Sequence, residues 1–409
     1  MTLLATLIPL FDNSMNVPAY SIFAQRENLL ANPGLLGTRS LDMASTVVGF
    51  EIVNNMGIDS LSNDSRVFVE VNNVSIYSRI EEACQATPSR VILLADKTII
   101  PTDPYVARMK ELKEKGFSLA IKGLAYTQFD DYAEILKLVD YIFLDHTRMN
   151  INVAKSFFSS RYPGLKLVAV DVNSRDDYES LTEKEGYALY EGEFFRVPVT
   201  SKGSDVSPLK ANYIELMNIV NGPDFDLQDA ADVISRDTAL VISLLQMVNK
   251  MSRNSEITSV RHAAAMLGQK ELKKWINAVV TKELCADRPS EVMRVSMLRA
   301  KFAEELAPAF EMAVNTQELF LVGLFSILDQ ILECPMPEAL QKVRVDKDIQ
   351  DALISRTGKY AKVLQFVLDY EWGDWQSISR QMIVDNLDMD EIYQAYVRSL
   401  RWFSDLLNV

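Results

Sequence analysis

The feature that most restricts this chain is a change of rhythm. Between residues 67 and 170, short β-branched runs alternate with amphipathic stretches, and beyond residue 200 the runs stop. The runs are VFVEV at 67–71, VILLA at 91–95, FSLAI at 117–121, YIFL at 141–144 and LKLVAV at 165–170. Stretches such as 103–115 and 130–138 between them carry apolar residues at helical spacing. A strand that returns through a helix pairs in parallel with its predecessor, so the repeated unit predicts a parallel sheet and the number of units predicts a closed (β/α) barrel. The opening differs: LLATLIPLF, the turn-like residues 12–16 and VPAYSIFA predict two adjacent antiparallel strands.

A chain of 409 residues exceeds what one core can hold, so a second domain is expected. The polar segment SKGSDVS at 201–207, followed by Pro208 at a first helical position, predicts a linker between a domain at 1–200 and another at 208–409. The second domain reads as all-α. Tyr213, Leu216, Met217 and Val220 form one stripe, and Asp226 and Asp237 stand as N-caps. Ser259 starts a helix that stops at Gly268, and Asp388 with Glu391 resembles a capping box before a final helix. The overall class is α/β followed by all-α.

Composition narrows the chemistry. Forty-two bases against 56 acids leave a net charge of −14, which disfavours nucleic acid and anionic membranes as partners. No apolar stretch suffices for a transmembrane helix, and Cys84, Cys285 and Cys334 form no CxxC, so a cytoplasmic location is expected. Two histidines, His146 and His262, cannot supply a multi-histidine metal site. The patterns GxGxxG, GxxxxGK[ST] and GxSxG are absent.

Longer segments carry a resemblance. DFDLQDAADVISRDTALVISLLQMVN, SEITSVRHAAAMLGQKELKKW, RAKFAEELA, LVGLFSILDQILECPM and YEWGDW resemble the HDOD domain, a helical signalling module related to the HD phosphohydrolases, in the version fused behind an EAL domain. LIPLFDNSMNVPAYSIFAQ at 7–25 and EGEFFRVPV at 191–199 are similar to the opening and closing segments of that EAL half. The chain thus resembles the bacterial EAL-HDOD signal transduction proteins. The resemblance implies an EAL-type modified barrel at 1–200 and a helical HDOD domain at 208–409.

EAL enzymes hydrolyse cyclic-di-GMP, a reaction that needs oxygen ligands for Mg²⁺ or Mn²⁺ and a general base. The resemblance places those functions on altered residues. The metal-binding glutamate falls on Ser21, the asparagine on Glu70, the next glutamate on Leu94, and the paired aspartates on Lys122 and Gly123. The strand lysine becomes Phe143, the base glutamate Val170 and the closing glutamine Glu191, whereas Asp145 is retained. GFEIV at 49–53 is a decoy on a helical stretch. Lys122 matters most: unit charges about 4 Å apart interact by roughly 4 kcal/mol at an effective dielectric near 20, so an ammonium there repels a dication. Its side chain either pairs with Glu70, Asp145 or Glu191 or snorkels to solvent.

In the helical half the His-Asp doublet falls on Ser326 and Ile327, and the nearby Asp329 is expected as a cap or surface residue. His262 is expected packed or hydrogen-bonded, and His146 follows Asp145 at the barrel's functional end. Tyr370, Trp372, Trp375, Trp402 and Phe403 are expected mainly in a core. These readings predict a signalling scaffold that is not an enzyme, without catalytic residues, metal or cofactor. Its HDOD domain binds protein partners, a homodimer is open, and cyclic-di-GMP is disfavoured. The alternatives are a receptor that binds cyclic-di-GMP without cleaving it, and an enzyme of other chemistry at Asp145 and His146.

Overall fold

The computed structural model describes residues 3–25, 47–198, 208–222, 225–251, 257–343 and 345–407. Eight strands close a barrel in chain order: β1 (Leu4–Phe11), β2 (Ala19–Gln25), β3 (Arg66–Val71), β4 (Val91–Ala95), β5 (Ser118–Ile121), β6 (Tyr141–Asp145), β7 (Lys166–Val170) and β8 (Tyr187–Glu191). β1 is antiparallel to both β2 and β8, and every other neighbouring pair is parallel. The opening hairpin is therefore real. Asp12 closes it, its carboxylate accepting from the N–H groups of Ser14 at 2.8 Å and Asn16 at 3.0 Å, as an Asx turn does.

Alternation decides which side chains enter the barrel. Leu10, Phe68, Ile92, Ala120, Tyr141 and Leu189 point inward and pack with others as a continuous core. Phe68 meets Tyr141 and Phe143 edge-on, with ring centroids 5.4 and 5.2 Å away. GFEIV lies on the helix Gly49–Met56, as its reading as a decoy requires. β8 was not among the expected strands: YALYE lacks β-branched residues, and its strand state depends on pairing with β7 and β1.

The second half is helical. Asp226 accepts from Gln228 N–H, Asp237 from Leu240 N–H, and Asp388 from the N–H groups of Asp390 and Glu391. Ser259 caps the helix Val260–Leu284, which breaks at Gly268, where φ is 72°, before continuing. The expected stop at Gly268 is thus a kink. The linker at 201–207 lies outside the described residues. Among the described residues no helix is long and apolar enough to cross a membrane.

The chain forms two compact units that interleave in sequence: Met1–Val197 with Asp369–Val397, and Pro198–Leu368 with Arg398–Val409. The segment 369–397 therefore belongs with the barrel rather than with a domain running unbroken over 208–409. Its contacts explain this. Tyr370 is wholly buried and accepts from Ala5 N–H at 3.3 Å, Thr6 Oγ1 donates to Glu371 O, and Arg196 pairs with Glu371 at 2.8 Å. Trp375 stacks on Phe23 with centroids 5.9 Å apart. Of the aromatic set, Tyr370, Trp375 and Phe403 are core, while Trp372 is 45% exposed.

Candidate functional site

The C-terminal ends of the parallel strands surround a cavity of about 1030 Å³. All nine positions singled out from the sequence line it: Ser21 on β2, Glu70 on β3, Leu94 on β4, Lys122 and Gly123 after β5, Phe143 and Asp145 on β6, Val170 on β7 and Glu191 on β8. Their convergence follows from register. Ser21 lies beside Phe68, Glu70 beside Leu94, Leu94 beside Ala120, and Asp145 beside Val170. Lys122 is two residues beyond Ala120, so its side chain leaves the same face, and its N–H donates to Ala95 O at 2.9 Å to extend the ladder.

The replacements divide by polarity. Leu94 and Phe143 join the barrel core and Val170 packs against it, so the floor of the cavity is apolar. Ser21 is buried at 6% exposure. The charged groups form the wall above. Lys122 Nζ donates to Glu70 Oε1 in a direct ion pair. Of the two fates open to Lys122, pairing is the one realised. Asp145 accepts from Thr147 N–H at 2.9 Å and Thr147 Oγ1 at 2.6 Å and pairs with Arg148 Nε at 2.9 Å. Partial burial raises its pKa, but these hydrogen bonds and the Arg148 charge outweigh it and hold the carboxyl below its usual range. Glu191 is pushed the other way, to about 7, chiefly by desolvation; Lys122 opposes the rise, and Asp171 and Glu70 add to it. His146 Nδ1 lies 2.8 Å from Val170 O, which requires the proton on that nitrogen and ties the ring to the backbone.

The residues present do not fit the dication that an EAL resemblance implies. A hard cation needs several free oxygens, yet Glu70 is committed to an ammonium, and Asp145 to Thr147 and Arg148. Among the described residues no group of three or more His, Cys, Asp or Glu side chains could hold a metal ion.

The second candidate site has a similar substitution. Ser326 and Ile327 are both buried; Ser326 Oγ donates to Gly323 O at 2.7 Å and accepts from Arg299 Nη1 at 3.1 Å. Gly323 is needed there because a Cβ would overlap the Arg299 carbonyl. Asp329, expected as a cap or surface residue, is instead buried at 5% exposure. Burial and the charge of Arg299 lower the Arg356 pKa, and Asp329 partly offsets them. Arg299, buried at 5% exposure, had escaped sequence reasoning, since nothing in its local pattern separates a buried arginine from a solvated one. The His262 side chain is exposed rather than packed, although its N–H bonds to Ser259.

A closed barrel with one reversed strand, continued by a helical half, defines a two-module protein. Residues 206–357 of the helical half match the HDOD domain. The order read from the sequence, a closed barrel ahead of a helical half that matches the HDOD domain, is the one this chain has. The protein YuxH of Bacillus subtilis, described as uncharacterized, is 27% identical over 98% of both chains. The cyclic di-GMP phosphodiesterase CdgJ of Vibrio cholerae is 26% identical over 84% of this chain and 79% of its own. A solved EAL domain protein of Listeria monocytogenes matches 47% of this chain and 87% of its own, with 13% identity and a TM-score of 0.38.

The replaced ligands led to the reading that the chain is not an enzyme, and a phosphodiesterase aligned over 84% of it overturns that exclusion. The physical reason is that losing one metal arrangement speaks to that arrangement alone, not to turnover by other groups in the same cavity.

Proposed function

We propose that this protein serves cyclic-di-GMP-related signalling as a scaffold, with the HDOD half binding protein partners and the barrel mouth carrying a built-in cation in place of a bound dication. The observation that supports this most is the Lys122 to Glu70 ion pair in the cavity wall. Arg299 beside Ser326 is the parallel feature of the helical half. The test is affinity capture with the full chain. Partners are expected to be retained by Lys122→Ala and lost on charge reversals at the surface of the helical half. Loss of partners only on changes at the barrel mouth would contradict the scaffold reading.

A second reading, a receptor for cyclic-di-GMP, draws on Lys97, Lys122 and Arg148, which line the cavity together with the exposed Tyr126. Cations and an aromatic face suit a phosphate-bearing base. Glu70 and Glu191 in the same wall oppose it. Calorimetry with the dinucleotide, with chromatography of the products, separates binding from turnover.

A further inference from the structure

A groove of about 580 Å³ lies in the helical unit, bounded by the helices Pro208–Asn221 and Leu227–Ile234 and the start of Thr238–Met251. Its floor is apolar, with Leu216 and Leu240 buried and Ile219 and Val233 half-buried. Its rim is acidic on both sides: Glu215 projects from one helix, Asp229 and Asp232 from the other, all exposed, and Asp237 closes one end. Asp237 accepts from Tyr213 Oη at 3.3 Å and Asp232 pairs with Arg261 at 2.9 Å. No ion pair engages Glu215 or Asp229 among the described residues. Only Arg236 opposes the four carboxylates within the lining.

We infer that this groove receives a basic amphipathic helix of a partner protein, its apolar side on Leu216, Val233 and Leu240 and its lysines or arginines along the two acidic walls. The inference rests on the reading of the HDOD half as a partner-binding module. Charge complementarity selects the occupant: like charges flanking an apolar trough repel one another, and a cationic helix relieves that while covering the floor. A single metal ion is the wrong counter-charge, because the carboxylates are spread along the walls and no three of the described acidic groups could hold a metal ion.

The test uses the full chain and a fluorescein-labelled amphipathic 18-residue peptide of leucine and lysine, read by fluorescence anisotropy near physiological salt. The double variant Glu215→Lys/Asp229→Lys is expected to weaken binding by about tenfold or more, since two facing charges are reversed. Reversing the exposed Asp348 and Asp405 of the same unit is expected to change binding less than about twofold. Equal losses in both variants would make the attraction a property of net charge and overturn the inference, as would no peptide binding at all. Sedimentation decides the other occupant: a change of oligomeric state in the groove variant alone would assign the groove to a second copy and likewise overturn it. If the wild type captures no cellular partner yet binds the peptide through the groove, the scaffold reading fails and the groove stands. If partners are captured equally by wild type and groove variant, the groove fails and the scaffold reading stands.

Discussion

Lys122 pairs with Glu70 in the wall of the barrel mouth, and two consequences belong to single side chains. The ion pair with Glu70 is partly exposed, with 34% and 41% of the side chains accessible, so Lys122→Ala is expected to change stability by less than about 1 kcal/mol in thermal melts. The same substitution removes the charge that lowers the Glu191 pKa, so Glu191 is expected to titrate above 7, readable by carboxyl NMR. Glu191 and Glu193 are each raised from 4.5 to about 7 by desolvation, with Lys122 and Arg196 respectively opposing the rise. In such a case the folded state holds the proton more tightly than the unfolded state. Stability is therefore highest below 4.5 as far as these groups are concerned, falls as pH rises from 4.5 to 7, and levels off above. Glu191→Gln is expected to flatten that fall; an unchanged slope would show that Glu191 is solvated. Glu70 and Asp145 were legible in the sequence through the EAL resemblance, and their strand positions bring them to one cavity. Asp329 was not, because a buried carboxylate needs partners from distant segments and leaves no local trace.

At the scale of elements, glycines mark where helices meet or break. Gly323→Ala is expected to destabilise the helical unit by about 1 to 3 kcal/mol, because the new methyl would strike the Arg299 backbone and push apart the helices Ser290–Leu306 and Thr316–Phe325. Chemical denaturation checks this, and a change within experimental error would mean that the two helices separate freely. Five strands were legible to within a residue because β-branched runs and burial coincide there, as in VILLA, which is buried throughout β4. β8 was not, since its closure of the barrel is a tertiary demand on a weak local preference.

For the whole molecule, the interleaving of the units matters more than the seven-residue linker expected at 201–207. Helical periodicity identified the elements of 369–397, but it carries no information on which core they join; that choice depends on Tyr370, Glu371 and Trp375 meeting Ala5, Arg196 and Phe23. A fragment of residues 1–198 leaves those barrel groups uncovered. It is expected to melt at a lower temperature than the full chain and to aggregate, and a fragment as stable as the full chain would show that 369–397 adds little to the barrel. Experiments that separate the halves should therefore keep the full chain and alter surfaces.

If Lys122 holds the place of a dication at the barrel mouth, Mn²⁺ binding followed by electron paramagnetic resonance will report it. The wild type is expected to bind no Mn²⁺ at this site, whereas Lys122→Asp, which removes the ammonium and adds a carboxylate beside Glu70, is expected to bind the ion and to lose it again on Glu70→Gln. Tight Mn²⁺ binding by the wild type that disappears on Glu70→Gln or Asp145→Asn would contradict the claim.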